Sequence, residues 1–99
     1  MRQYFAASLC RNGILGGVII AGDEGITYKT GKLTVPPELR NLEMKYGEIR
    51  GITCSRPLVF PTVSVRMNYG ERYKFIVFRC HRFCTLLKEK GVEQIDEQL

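Results

Sequence analysis

The stretch Thr62–Phe78, TVSVRMNYGERYKFIVF, decides the fold. Its apolar residues recur two apart on either side of a turn at Asn68–Glu71. That pattern is typical of two antiparallel strands joined by a hairpin, each with one buried face. The predicted inward residues are Val63, Val65 and Met67 on the first strand and Tyr73, Phe75 and Val77 on the second. The stretch therefore predicts a β protein.

The period of the apolar residues changes directly after this hairpin. Positions i, i+3, i+4 and i+7 now form one stripe, which is the pattern of an α-helix; they are Cys80, Phe83, Cys84 and Leu87. Gly91 is the expected helix stop, whereas no good N-cap precedes the stripe. We predict a helix over about residues 79–90, followed by an acidic tail over residues 92–99.

Five further strands are predicted upstream of the hairpin. The first alternates from Tyr4 to Cys10, and we expect it to be buried on part of both faces. The others are Val18–Ala21, residues 26–30, Leu42–Tyr46 and a segment with Ile49, Ile52 and Cys54. The glycine-rich RNGILGG, residues 11–17, is predicted to be a loop. Pro36 and Pro37 end any regular ladder before the fourth strand.

Three stretches resemble GRAM and related bacterial pleckstrin-homology-like domains. They are GGVIIAGDEGITYKTGKL (16–33), NLEMKYGEIRGITCSR (41–56) and TVSVRMNYGERYKFIVF (62–78). The first is similar to the family's early hairpin, with Ile26 and Tyr28 as its spaced apolar pair. The second is similar to the next block, with its Glu48-Ile49 step, and the third to the closing hairpin, with Phe75 just after the turn.

The resemblance, which spans roughly residues 16–90, implies a mainly β fold with one C-terminal helix. We expect a partly open barrel of two packed antiparallel sheets, with about seven strands in all, capped by the helix in a single domain over residues 1–91. The resemblance also implies a binding module for phosphoinositide, membrane or protein contacts. The phosphoinositide motif of eukaryotic relatives places several basic residues in the first hairpin loop, whereas this loop offers only Arg11, so no headgroup site is carried over.

Composition indicates an ordinary globular protein. Of its 99 residues, 44% are hydrophobic and 25% charged. The longest apolar run, Gly16–Gly22, is far too short to cross a bilayer, and no signal peptide is evident. The 4 cysteines fall in predicted strands or the helix, where a thiol behaves as a small apolar side chain. We expect a cytoplasmic protein in which a disulfide framework is possible but not needed.

The loop SRPLVFPT, residues 55–62, places three apolar residues between two prolines. We predict a contact loop in which Leu58, Val59 and Phe60 anchor a protein partner or a membrane, and Arg56 contacts a headgroup or an acidic group. The alternative is that the loop folds back and closes one end of the barrel. A second apolar tip is predicted at Ile14 and Leu15 in RNGILGG, with a plain hairpin turn as its alternative. Such β proteins commonly pair through exposed edges, which favours self-association over membrane binding.

The basic residues favour anionic partners. Net charge is +5, and it is +8 on residues 1–91, which hold 15 basic and 7 acidic side chains. Arg11, Arg72 and Lys74 are the candidate anion contacts. On a strand, the last two share one face while Tyr73 and Phe75 share the other. That separation of charge from aromatic rings favours a solvated face over a base-stacking surface.

The motif CHRFC, residues 80–84, suggests a metal site at first sight. Cys80 and Cys84 share one helix face with His81 adjacent, but a structural zinc site needs four ligands. Ligands at i, i+1 and i+4 of one helix cannot all point at one ion, so Cys54 or Cys10 would have to complete the set. We therefore predict no metal and no cofactor. No carboxylate pair, second histidine or nucleophile elbow is present in the sequence, so no enzyme is predicted either.

The predicted function is therefore a small non-catalytic interaction domain. It would bind a protein partner, a second copy of itself included, or an anionic membrane surface through its apolar loops. The alternative is a basic small barrel that binds single-stranded nucleic acid. Nucleic-acid binding would weaken steeply with salt, whereas apolar association would persist. No small-molecule substrate is expected.

Overall fold

The computed structural model describes residues 2–11, 13–31, 36–55 and 61–95. Within these ranges, seven strands form one antiparallel sheet with a C-terminal helix. The strands are β1 (Gln3–Cys10), β2 (Ile14–Ala21), β3 (Gly25–Lys29), β4 (Asn41–Lys45), β5 (Ile49–Ser55), β6 (Thr62–Met67) and β7 (Arg72–Val77). Their order in space is β4-β3-β2-β1-β7-β6-β5. The fold is a seven-strand antiparallel half-barrel, which confirms the mainly β prediction.

The hydrogen bonds run through the whole sheet, so the two separate sheets that we expected are one. The junction is the antiparallel pair β1–β7, where Ala7 lies opposite Val77 and Leu9 opposite Phe75. Those four side chains are buried in the core. The chain therefore bends one continuous sheet around its core, and pairing of the first and last strands joins the two halves.

Helix α2 (Cys80–Glu89) packs its apolar stripe into the half-barrel. Phe83 is fully buried, and its ring meets that of Phe5 edge-on at 5.2 Å between centroids. The helix begins after Arg79, which has a left-handed φ of 59° and no side-chain cap, as the missing N-cap predicted. The Arg79 guanidinium instead donates a 2.7 Å hydrogen bond to the Tyr4 carbonyl and lies 5.0 Å from the Phe5 ring centroid. These contacts tie the start of the helix to β1.

The β6–β7 hairpin is as predicted. Its three inward residues on β6 are buried, and so are Phe75 and Val77 on β7. Gly70 adopts a φ of 96°, which glycine tolerates and other residues rarely adopt. The Met67 amide donates to the Glu71 carbonyl at 2.8 Å and closes the turn.

The predicted acidic tail is part of the packed domain as far as Ile95. Val92 is only 4% exposed and belongs to the core. Ile52 on edge strand β5 donates to the Glu93 carbonyl at 2.9 Å and accepts from the Ile95 amide at 2.7 Å. Gly51 leaves room for the Ile95 side chain, because a Cβ there would overlap it. Residues 92–95 thus pack against the half-barrel, and residues 96–99 lie outside the described part.

Strand β2 begins four residues earlier than predicted. Residues 14–17 were expected to be a loop, but they pair with β1 over their whole length. Gly17 permits this, since a Cβ there would meet the Lys29 carbonyl oxygen and lie 2.9 Å from Cε1 of Tyr28. The glycines that were predicted to form a loop therefore allow two strands to approach each other closely.

Two short elements were not predicted. Helix α1 (Pro37–Arg40) is a single turn with proline in its first turn, a position where the missing amide costs nothing. Residues 46–48 form a 3-10 turn in which the Tyr46 amide donates to the Glu24 carbonyl at 2.9 Å. In the described ranges, no helix has the length and apolar character needed to cross a membrane.

Candidate functional site

Strand β1 has a buried inner face and an outer face that is exposed towards its start and partly buried at Ser8 and Cys10, in line with the expectation that part of both faces would be buried. Phe5, Ala7 and Leu9 point into the core, whereas Tyr4 is 55% exposed and Ala6 is also exposed. Residues on the solvent-facing side of a sheet are usually polar. The apolar residues on the outer face of β1 therefore need an explanation.

The exposed apolar residues of β1 belong to a larger group on the outer face. In antiparallel pairs, opposed residues share a face, and Tyr4 lies opposite Ile20 while Ala6 lies opposite Val18. Phe78 continues β7 by one residue, since its amide donates to the Ala6 carbonyl at 3.0 Å, and it is 53% exposed. We call this group the outer patch: Tyr4, Ala6, Val18, Ile20 and Phe78.

The outer patch has a polar border on the β3 side. Thr27 lies opposite Ile20, and Lys29 lies opposite Val18. The next strand, β4, presents Glu43 beside Thr27. A cavity of about 430 Å³ on this side is lined largely by charged and polar groups of both signs, including Arg2, Asp23, Glu24, Lys29 and Glu43. The apolar area thus ends at β2.

The three predicted anion contacts lie together at one end of the half-barrel. Nη2 of Arg11 donates to the Arg72 carbonyl at 3.2 Å and lies 3.9 Å from a carboxylate oxygen of Glu71. Lys74 shares the outer face of β7 with Arg72, and Arg66 lies directly opposite Arg72 on β6. We call Arg11, Arg66, Arg72 and Lys74 the basic end.

Charge and aromatic rings are separated on β7, as predicted. Tyr73 is half-buried against the core, while Arg72 and Lys74 are exposed. Arg11 covers the Tyr73 ring at 5.1 Å from its centroid. Burial raises the pKa of Tyr73, with Tyr69 and Glu71 adding to the rise and Arg11 opposing it. Tyr73 therefore helps to hold Arg11 in position and is not available to stack on a base.

The predicted apolar tip at Ile14 and Leu15 is not a loop. Both residues belong to β2. Ile14 is 61% exposed, but Leu15 packs against the core and its carbonyl accepts the hydroxyl hydrogen of Tyr28. Partner contacts by Ile14 and Leu15 stay predictions. The contact residues Arg56, Leu58, Val59 and Phe60 lie outside the described residues.

Three cysteines that are distant in sequence come together beneath α2. Sγ atoms of Cys54, Cys80 and Cys84 all lie within 4.8 Å of one another. Cys54, which a disulfide joins to Cys84, is one of the two residues, with Cys10, that would have had to complete the CHRFC pair for a metal site. Exposed His81 lines the same cleft. Cys10 lies on β1 and is not part of this cluster.

No protein-family model matches the chain. No curated protein matches it either. Among solved structures, the chain is similar to the crystal structure of the C-terminal domain of an unknown protein from Leishmania infantum. The TM-score is 0.74 at 11% sequence identity, and the match covers 89% of this chain and 80% of the other. At that identity the likeness shows a shared fold alone.

The sequence reasoning missed the outer patch, although a signal was present. Every residue of Val18–Ala21 is apolar, and in β1 the residues between the core positions are apolar at Tyr4 and Ala6. That pattern indicated burial on both faces. Only the arrangement of the strands in space shows that the outer face stays exposed at Tyr4 and Ala6. The cysteine cluster was also missed, because nothing local brings Cys54 to the helix.

Proposed function

We propose that this chain is a non-catalytic, pleckstrin-homology-like interaction domain that binds a protein through its outer patch. The partner that we propose is a second copy of the chain. The observation that carries the proposal is the apolar surface formed by β1, β2 and the residue after β7, in which Tyr4 and Phe78 are more than half exposed and Val18 and Ile20 are partly buried. A cytoplasmic location is part of the same proposal.

The composition of the outer patch suits a protein partner. Interface cores are enriched in tyrosine and phenylalanine and depleted in charge, and the charged residues lie at the rim. The patch has two aromatic residues at its centre and along one side, and Lys29 and Glu43 border it. Exposed aromatic anchors of this kind supply most of the binding energy in protein interfaces. A two-fold symmetric pair would bury the same patch on both copies.

The test is the solution mass across a range of protein concentrations, measured by light scattering at low and high salt. We expect the wild type to self-associate at both salt concentrations, since apolar contacts persist in salt. Phe78→Asp should be a folded monomer. The substitution removes one phenylalanine ring from each copy of a symmetric dimer. At about 1.5–3 kcal/mol per buried side chain, the dissociation constant of the dimer should rise more than a hundredfold.

Tyr69→Asp is the matched control. Tyr69 is a similarly exposed aromatic residue, at 62%, but it lies in the β6–β7 turn outside the outer patch. Its substitution should leave the mass unchanged. A wild type that is monomeric at every concentration would contradict self-association, and equal effects of the two substitutions would contradict the assignment to the outer patch.

A second candidate function is binding of an anionic polymer at the basic end. It is favoured by the convergence of Arg11, Arg72 and Lys74, with Tyr69 exposed at the adjoining turn. For a single-stranded oligonucleotide, log affinity should fall with log salt by about 0.7 per phosphate contacted. The double variant Arg72→Ala/Lys74→Ala should lower both affinity and slope, and Lys29→Ala/Lys45→Ala, on the other half of the sheet, should not. Binding to anionic vesicles but not to oligonucleotides would assign the basic end to a membrane surface.

A further inference from the structure

The three-cysteine cluster joins two elements of different type. Cys54 lies on edge strand β5, and Cys80 and Cys84 lie one turn apart on α2. Sγ of Cys80 is 3.9 Å from Sγ of Cys84, and all three sulfurs are within 4.8 Å of one another. The two helix cysteines are buried, and Cys54 packs against the core. The geometry thus gathers three soft ligands at one point between helix and sheet.

The backbone spacing at this point is wider than a disulfide normally allows. A disulfide joins Cys54 to Cys84, but their Cα atoms lie 7.4 Å apart. Disulfides usually span about 4.4–6.8 Å between Cα atoms, and pairs beyond about 7 Å need backbone movement to close. That backbone spacing suits two separate thiols, so reduction of the disulfide would let the two sulfurs move apart and accept an ion between them.

The sulfur spacing on the helix fits tetrahedral coordination. Zinc–thiolate bonds are about 2.3 Å long, so two thiolates on one tetrahedral ion lie about 3.8 Å apart. The 3.9 Å between the Cys80 and Cys84 sulfurs agrees with that value. Thiolates select soft ions, and zinc is the common one that carries no redox chemistry.

The cluster is open to solvent on one side. A cleft of about 310 Å³ is lined by the three cysteines together with His81, Thr85, Lys88 and Gln94. The cleft gives an ion a route to the sulfurs and leaves a fourth coordination position for water. Three thiolates and one Zn²⁺ carry a net charge of −1, which the ammonium group of Lys88 at the rim offsets.

We propose that, once a thiol reductant has supplied two electrons and two protons to open the Cys54–Cys84 disulfide, Cys54, Cys80 and Cys84 bind one Zn²⁺ through three thiolates, with water at the fourth position. The thiols release their protons when the ion binds. The metal then holds α2 against strand β5, so the zinc-loaded domain is more stable than the zinc-free one. This site is separate from the outer patch and does not depend on the proposed protein binding.

The test uses the full chain, purified with a phosphine reductant and without metal. Titration with Co²⁺ should produce a thiolate-to-cobalt charge-transfer band that saturates at one ion per chain and is lost when Zn²⁺ is added. Cys54→Ser, Cys80→Ser and Cys84→Ser should each bind Co²⁺ at least a hundredfold more weakly. Cys10→Ser is the matched control, and it should bind as the wild type does.

Thermal unfolding separates loss of metal binding from loss of the fold. Zn²⁺ should raise the midpoint temperature of unfolding of the wild type and of Cys10→Ser. It should not raise that of Cys80→Ala, in which alanine is used because it places no hydroxyl group in the buried position. Absence of a cobalt band in the reduced wild type would overturn the proposal. So would binding that survives removal of Cys80, or a Cys54–Cys84 disulfide whose reduction yields no metal uptake.

Discussion

At the scale of single residues, Gly17 fixes how closely β2 can approach β3. A Cβ at this position would meet the backbone of Lys29 and the ring of Tyr28, neither of which can easily move. We therefore expect Gly17→Ala to lower the free energy of unfolding by about 1–3 kcal/mol, the usual cost of overpacking. Chemical denaturation measures this value.

Gly47→Ala is the control for that substitution. Gly47 lies in the 3-10 turn, and a Cβ there would meet nothing within 4 Å. Its replacement should change stability by no more than about 0.5 kcal/mol. Equal effects of the two substitutions would contradict the close approach at Gly17.

Tyr28 and Tyr46 make stability depend on pH in the alkaline range. Each hydroxyl donates to a backbone carbonyl, of Leu15 and Gly22 respectively. Burial raises the pKa of both phenols above the ordinary value of about 10, and at Tyr46 the charge of Asp23 adds to the rise. Ionisation is therefore easier in the unfolded chain, so these phenols contribute stability that is full below about pH 10 and is lost as pH rises through their folded-state pKa values.

The measurement is the free energy of unfolding between about pH 9 and pH 11, on either side of the ordinary tyrosine pKa. The wild type should lose stability more steeply than Tyr28→Phe/Tyr46→Phe, which has no phenol to ionise at these positions. Parallel slopes for the two proteins would contradict the role of these tyrosines.

At the scale of elements, the segment after α2 closes the edge of β5. Val92 is buried in the core, and the hydroxyl of Thr53 donates to the Ile95 carbonyl at 2.9 Å. At about 0.8 kcal/mol per buried methylene, Val92→Ala should cost about 1–2 kcal/mol. Exposed Glu93→Ala should cost less than about 0.5 kcal/mol. Urea denaturation of both variants checks the difference, and a neutral Val92→Ala would show that the segment is a tail after all.

The elements that could be predicted from sequence are those specified by local patterns. The β6–β7 hairpin carries its alternation and its turn within 17 residues, and the helix carries its own stripe and glycine stop. The start of β2 could not be predicted, because Gly17 is read locally as a turn former while its role depends on Tyr28 eleven residues away. The docking of Val92 depends on β5, which lies some forty residues earlier.

The candidate sites also differ in how far local sequence patterns predict them. The basic end could be predicted in part, since Arg72 and Lys74 alternate along one strand. The outer patch could not, because it requires β1 to lie between β2 and β7. The cysteine cluster requires β5 to lie beside α2, so no spacing within the sequence indicates it.

At the scale of the whole molecule, the half-barrel uses the two faces of its sheet differently. The inner face and α2 form the core, and the outer face carries the outer patch at its middle and the basic end beside it. The apolar surface at the middle of the curved sheet carries two exposed aromatic residues, Tyr4 and Phe78, and its polar border limits where a partner can bind. The central claim is that this surface is a binding site for a second copy.

The most direct measurement is a dilution series followed by methyl NMR. On dilution, the methyl signals of Ala6, Val18 and Ile20 should shift together along one binding curve, because these groups exchange a protein neighbour for water. Signals of buried Ile26 and Leu87 should stay unchanged. Constant signals from the patch at all concentrations, or equal shifts at the buried methyl groups, would contradict the account.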